Sequence, residues 1–321
     1  MKQILVLTPF SPEQRTLLER QAPGCCFTYC PQGQETGEMA VKADIIIGNI
    51  DPDLLKGCGH LELLQLHSAG ADAYTAPGVL PAGAELTCAT GAYGLAIAEH
   101  MLGALLAMKK NLYRYYDNQK KHLWRDEGAV SGIYGTRTLV IGFGNLGSEF
   151  ARRMRAMGSY VVGIRRTPGL PSEFADEMHT METLDDELAR ADIVALTLPG
   201  TARTCGLIGR PQLLSMKKDA FLLNNGRGSA VDLDALCEVM KDGHLAGAIL
   251  DVTDPEPLPP EHPFWDLPNA ILTPHVSGDF NLPKTLDLLA EIAAENLRRH
   301  LCGEPLKSVV DLTEGYRRAE R

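Results

Sequence analysis

Cysteine is sparse in this chain, with eight residues among 321. Cys25, Cys26 and Cys30 crowd together near the start, but no pair has CxxC spacing and no second cluster completes a zinc site. That excludes a disulfide scaffold, and the thiols read as small apolar residues of a reducing compartment. No metal is expected. Positive charge is also in short supply: 31 Lys and Arg stand against 41 Asp and Glu, a net charge of −10. A duplex-binding surface needs clustered Lys and Arg to displace counterions, so nucleic acid is not an expected partner. No apolar run approaches the roughly 18 residues a membrane helix needs. The stretch ILVL near the start is cut short at Pro9 and reads as a β-strand, not a signal-peptide core. A cytoplasmic protein without a membrane partner is expected.

What is present describes a globular protein: 45% apolar and 22% charged residues. A chain of this length exceeds what one core usually fills, so two domains are expected. Short apolar runs at 4–7, 27–30, 44–47, 63–66 and 85–88 read as strands, with helical segments at 13–20 and 35–41. A long apolar helix is predicted over 95–116 as the connection between domains. The alternation then restarts, with strands at 138–141, 160–164, 192–198, 221–225, 246–252 and 270–275. One strong helix, 284–301, and an extended tail follow. Strands alternating with helices imply an α/β architecture with doubly wound parallel sheets.

The string TLVIGFGNLGSEFARRMRAMG carries G-x-G-x-x-G at Gly142, Gly144 and Gly147 between a strand and an amphipathic helix. Gly142 permits a tight turn, Gly144 lets the backbone approach a pyrophosphate, and Gly147 lets the helix pack closely on the strand. Asn145 and Leu146 lie in the same turn, where helix N–H groups face the phosphates. The chain is therefore expected to bind a nicotinamide dinucleotide. The next strand ends in Arg165 and Arg166, where an NAD site would place an acid on the ribose 2′-hydroxyl. An acid would repel a 2′-phosphate, whereas guanidinium groups pair with it. NADP(H) is the preferred cofactor on this reading, with NAD(H) possible.

Three further residues stand at strand ends, where ligands bind in such sheets. Arg227 lies in LLNNGRGSAVD, Glu256 in LDVTDPEPLPPEHPFW and His275 at the end of AILTPH. Together with HSAGAD (67–72), GLAIAEHMLGALLA, VIGFGNLG, LTLPGTARTCGLI, HPFWDLPNAILTPHVSG and the terminal GEPLKSVVD, these segments resemble the D-isomer-specific 2-hydroxyacid dehydrogenase family over nearly the whole chain. The resemblance implies a Rossmann dinucleotide-binding domain at 101–282. It also implies a discontinuous, flavodoxin-like substrate domain at 1–100 plus 283–321, with a cleft between them. It makes His275 the acid/base, Glu256 the carboxylate that holds it, and Arg227 the cation for the substrate carboxylate. Imidazole suits proton exchange near neutral pH.

The resemblance also places Ser68, Ala69 and Gly70 on the substrate carboxylate. Pro199, Thr204, Asn225, Gly226 and Asp251 become cofactor contacts, and a homodimer is implied. Tyr93 is a pocket candidate, His67 reads as packing or pocket lining, and Trp265 as a core anchor. Trp124 fits either an inter-subunit contact or a substrate pocket. The strand-end turns TPF, GNID and HSAGAD contain no Lys or Arg, which favours an unphosphorylated 2-keto acid such as glyoxylate or hydroxypyruvate. D-3-phosphoglycerate oxidation is the alternative chemistry. A dinucleotide-sensing, corepressor-like interaction protein is the alternative class, though no disordered tail or peptide-docking insert is visible for it.

Overall fold

The computed structural model describes residues 1–166 and 171–318. The chain divides into two compact units, Met1–Tyr93 with Phe280–Arg321, and Gly94–Asp279. In the first unit, β1 (Gln3–Val6), α1 (Pro12–Gln21), β2 (Cys26–Tyr29), α2 (Gly37–Lys42), β3 (Ile45–Ile47), β4 (Leu63–Gln65) and β5 (Glu85–Thr87) follow in turn. The strands pair in parallel in the order β2-β1-β3-β4-β5. Ser11 and Gln14 form a capping box ahead of α1, with Pro12 at its first position. That pairing satisfies two backbone N–H groups the helix leaves open. Leu5, Leu7, Ile46, Leu64, Leu66 and Leu86 bury one face of the sheet. Strand order reverses between β1 and β3, so the crevice for a ligand opens beyond Leu7 and Gly48.

The second unit opens with α3 (Gly94–Lys109) and α4 (Leu112–Lys120). One helix was expected over 95–116; the structure breaks it at Asn111, whose φ is 56°. Asparagine enters the left-handed region more readily than other side-chain-bearing residues. The apolar pattern also ends there. Ala98, Met101, Leu105 and Met108 join the core with Phe150 and Met154, so α3 belongs whole to this unit and the expected boundary at residue 100 falls inside it.

Next come β6 (Arg137–Ile141), α5 (Asn145–Ala156), β7 (Tyr160–Ile164), β8 (Glu177–His179), α6 (Leu184–Leu188) and β9 (Ile193–Leu196). Then follow α7 (Arg210–Ser215), β10 (Phe221–Asn224), α8 (Leu233–Lys241), β11 (Gly247–Leu250) and β12 (Ala270–Leu272). The seven strands form one parallel sheet in the order β12-β11-β10-β9-β6-β7-β8. Alternation places Leu139 and Ile141 in one core and Val140 in the other, which explains why β6 reads as a continuous apolar run. The chain then returns to the first unit through α9 (Pro283–Cys302), which packs on α1. Asn296 of α9 is fully buried and donates to Gln65 Oε1 at 2.6 Å and to the Lys307 carbonyl at 3.1 Å, tying helix and tail to β4. The tail ends in a two-stranded antiparallel pair, β13 (Val310–Asp311) and β14 (Tyr316–Arg317).

The edge strand β8 was not foreseen, because Glu-Met-His has no apolar run to mark it. Polar contacts attach it. Arg137 Nη2 lies 2.7 Å from Glu187 and 3.3 Å from Glu177, and Arg190 lies 2.9 Å from Glu187. Glu177, His179 and Glu187 bring their ligand atoms within 4.8 Å of one another, a grouping that separation in sequence concealed. Two guanidinium groups already supply the charge a cation would bring, so the cluster is an ion-pair network. Hydrogen bonds from Tyr160 and then His179 hold the Glu177 carboxyl down at about 2, against an ordinary 4.5. A depressed carboxylate contributes stability that is complete above 4.5 and lost as pH falls through its folded value. Urea unfolding should therefore show Glu177→Gln less stable than wild type near neutrality, with the difference shrinking from about pH 5 downward. A difference independent of pH would remove Glu177 from acid stability.

Candidate active site

The glycine turn follows β6, at the point where strand order reverses between β6 and β9. Gly142 has φ +98°, and a Cβ there would lie 2.8 Å from the Thr197 carbonyl oxygen. A Cβ on Gly147 would lie 2.5 Å from the Gly142 carbonyl oxygen, so α5 rests directly on the turn. Gly144 is the N-cap of α5 and carries no side-chain cap. The opening N–H groups of a twelve-residue helix therefore face the turn without a capping side chain. Asn145 begins α5, and Leu146 packs against the core. Arg165 and Arg166 follow β7 directly, and the Arg165 N–H donates to the His179 carbonyl at 3.1 Å.

Beyond β9, Thr204 Oγ1 donates to the Pro199 carbonyl at 2.7 Å, so this hydroxyl closes its own loop. A Cβ on Gly226 would meet the Leu198 carbonyl oxygen at 2.5 Å, which presses the loops after β9 and β10 together. Asn225 donates through Nδ2 to Ser277 Oγ at 3.3 Å. Its Oδ1 is buried without a hydrogen-bond partner among the described residues. An orphaned acceptor of this kind fits a ligand that brings an N–H group.

The turn carrying Arg227 is built by its neighbour Asn224, a residue the sequence did not single out. Asn224 Nδ2 donates to the Arg227 carbonyl at 2.9 Å, and its Oδ1 accepts from the Gly226 N–H at 3.1 Å. A Cβ on Gly228 would fall 1.9 Å from the Thr253 carbonyl oxygen, so only glycine lets this turn approach the Glu256 loop. Glu256 Oε1 accepts from the Thr253 N–H at 3.0 Å, and its Oε2 lies 2.9 Å from His275 Nδ1. A carboxylate can only accept, so Nδ1 carries a hydrogen and Nε2 is left as the nitrogen for proton exchange. His275 and Glu256 side chains are 50% and 39% exposed, within reach of a small solute.

His275 was expected to end a strand. The strand stops at Leu272, and His275 has φ 53°, a strained conformation for a residue with a Cβ. Asp251, 2% exposed, holds this turn in place. Its Oδ1 accepts from Thr273 Oγ1 at 2.5 Å and the Val276 N–H at 3.1 Å. Its Oδ2 accepts from the Ser277 N–H at 3.1 Å and from the Ser277 hydroxyl. Four donors occupy the lone pairs of a carboxylate expected to contact cofactor. His100 Nε2 lies 3.1 Å from Thr273 Oγ1 and extends the network to α3. Polar residues clustered at strand ends were the available signal for this network, but their pairing joins residues far apart in sequence.

In the first unit, Asn49 Oδ1 accepts from the N–H groups of His67 and Ser68 at 3.2 and 3.3 Å. Ser68 Oγ donates to the Gly70 carbonyl at 2.6 Å, which curls residues 68–70 into a compact loop. The Tyr93 hydroxyl donates to the His67 carbonyl at 2.5 Å, so it braces this loop. Trp265 is not a core anchor: it is 51% exposed, its indole N–H donates to the Pro259 carbonyl, and neighbouring Phe264 fills the core. Trp124 is fully exposed.

A parallel sheet of this order, a glycine turn at its switch point and an Arg–Glu–His set on strand tips define a dinucleotide-dependent oxidoreductase. The chain belongs to the D-isomer-specific 2-hydroxyacid dehydrogenase family, enzymes that act on CH–OH donors; the model of the family's NAD binding domain matches residues 102–277, more than half of the chain. Glyoxylate/hydroxypyruvate reductase B of Pectobacterium carotovorum is 32% identical over 271 residues, covering 82% of this chain and 83% of that protein. D-3-phosphoglycerate dehydrogenase of Methanocaldococcus jannaschii is 30% identical over 97% of this chain, which spans only 60% of that protein. Among solved structures, the NADPH-dependent glyoxylate/hydroxypyruvate reductase of Sinorhizobium meliloti, in complex with NADP and sulfate, aligns with a TM-score of 0.80. It is 27% identical, covering 98% of this chain and 100% of that one. Among the described residues, no helix is long and apolar enough to cross a membrane.

Proposed function

We propose that the protein reduces a small, unphosphorylated 2-keto acid of the glyoxylate/hydroxypyruvate type to its D-2-hydroxy acid, using NADPH. The 2.9 Å pair of His275 Nδ1 and Glu256 carries this reading. The bound dinucleotide supplies a hydride to the carbonyl carbon. Arg227 pairs with the substrate carboxylate and polarises the carbonyl. His275 delivers the proton from Nε2 to the carbonyl oxygen, and Glu256 holds the ring through Nδ1. The second unit is the dinucleotide-binding domain, through Gly142, Gly144, Asn145, Leu146, Gly147 and the residues at 199, 204, 225, 226 and 251. Arg165 and Arg166 face the 2′-phosphate. The first unit is the substrate domain, with N–H groups of Ser68, Ala69 and Gly70 offered to a carboxylate. The protein acts as a cytoplasmic homodimer.

The NADPH dependence of the Sinorhizobium relative supports the cofactor. The phosphoglycerate dehydrogenase relative raises the phosphorylated alternative. A phosphate wants a cation, and the strand-end turns of the first unit, TPF, GNID and HSAGAD, contain no Lys or Arg. A panel of 2-keto acids assayed with NADPH and NADH tests the reading. Turnover of glyoxylate or hydroxypyruvate with NADPH is expected, and turnover of 3-phosphohydroxypyruvate alone would replace the proposal with the phosphorylated substrate.

A further inference from the structure

Resting on that reading, in which His275 is the acid, we infer that His100 of α3 is a positioning residue for the His275 turn, acting through Thr273. His100 lies in the run GLAIAEHMLGALLA, where Ala98, Met101 and Leu105 fill the core and His100 stays half-buried. Its Nε2 lies 3.1 Å from Thr273 Oγ1. Thr273 Oγ1 in turn lies 2.5 Å from Asp251 Oδ1, and a carboxylate, which only accepts, takes the one hydrogen of the hydroxyl. Towards His100 the hydroxyl oxygen is left with a lone pair, so Nε2 is the donor. The bond therefore selects the Nε2–H tautomer of a neutral ring, and a charged ring makes it equally well.

What this bond holds is the backbone on which His275 is mounted. The His275 N–H is shared by the Asp251 carbonyl at 2.8 Å and the Thr273 carbonyl at 3.0 Å. The side chains of the same two residues are joined to each other, so Asp251 and Thr273 together clamp the turn at φ 53°. A strained conformation persists only where its surroundings over-determine it. Asn225 supports the carboxylate from another element: its Nδ2 donates to Ser277 Oγ, whose hydrogen goes to Asp251 Oδ2. Two chains of donors, one from α3 and one from the segment after β10, thus converge on Asp251. Without the His100 donor, Thr273 is tied to Asp251 alone and the clamp loses its link to a core helix. The His275 ring then strays from its line to the carbonyl oxygen. A misplacement of about 1 Å costs up to about a hundredfold in rate, even when the change lies away from the chemistry.

His100→Leu should lower kcat for 2-keto acid reduction by about ten- to a hundredfold, with KM for the keto acid and for NADPH nearly unchanged. His100→Gln, which keeps an N–H donor, should recover part of the loss. Because the effect runs through one hydroxyl, adding His100→Leu to Thr273→Val should cost nothing beyond Thr273→Val alone. A wild-type kcat in His100→Leu, a loss in His100→Gln as deep as in His100→Leu, or losses that add in the double variant overturns the inference. NMR of the protein with ¹⁵N-labelled histidine decides it without turnover. The His275 Nδ1 signal, set by the 2.9 Å contact with Glu256, should move in His100→Leu and return towards its place in His100→Gln. A signal unmoved in His100→Leu would remove His100 from positioning. Absence of turnover on every keto acid, in the wild type as well, would instead overturn the proposed reaction, while the His275 signal still reports on His100.

Discussion

His275→Asn should lose 2-keto acid reduction by about 10²–10⁴-fold in kcat, the range that general acid catalysis contributes, while NADPH still binds. Asparagine preserves a polar side chain on the strained turn but cannot release a proton from an Nε2 position. Because Asp251 fixes the turn through Thr273, Val276 and Ser277 and not through the imidazole, the fold should survive the change. Nucleotide binding, followed by fluorescence of the reduced cofactor, separates lost chemistry from lost structure. Retained turnover would remove His275 from the mechanism. A companion measurement tests Glu256. Glu256→Gln leaves the Nδ1 hydrogen without a carboxylate to hold it and should lower kcat while NADPH still binds. An unchanged kcat would argue against the 2.9 Å pair as a working contact.

Reversal of cofactor preference is the second large effect. Wild type should use NADPH better than NADH in kcat/KM. Arg165→Glu combined with Arg166→Ala should lose at least about a hundredfold with NADPH, as hydrogen bonds to charged groups contribute about 1.5–3 kcal/mol each. NADH turnover should hold or improve, since the new carboxylate can accept from the ribose 2′-hydroxyl. Both residues follow β7 directly, beyond the last residue of the strand. A wild-type preference for NADH would sink the assignment.

Period and punctuation made the strands of both sheets legible. Apolar runs bounded by Gly, Pro and Asp identify a strand without reference to its neighbours, as at β7, where the expected and observed bounds coincide. The Asn111 break was harder to see, because α4 remains helical and only a local left-handed turn separates it from α3. Strand β8 escaped because its attachment is polar and comes from Arg137, which lies 40 residues away in sequence. Trp265 misled for a related reason: a large apolar residue beside a buried Phe264 need not share its burial.

By itself, the sequence determined the alternating architecture, the glycine turn after β6 and the three strand-tip residues, because each depends on local spacing and residue type. Tertiary structure decided what those residues touch. It turned Asp251 toward the His275 turn, enlisted Asn224 to shape the Arg227 loop and joined His67 to Asn49 and Thr8. Hydrogen bonds of this kind link residues that parallel strand order brings together from distant parts of the chain, and no local pattern encodes such a meeting.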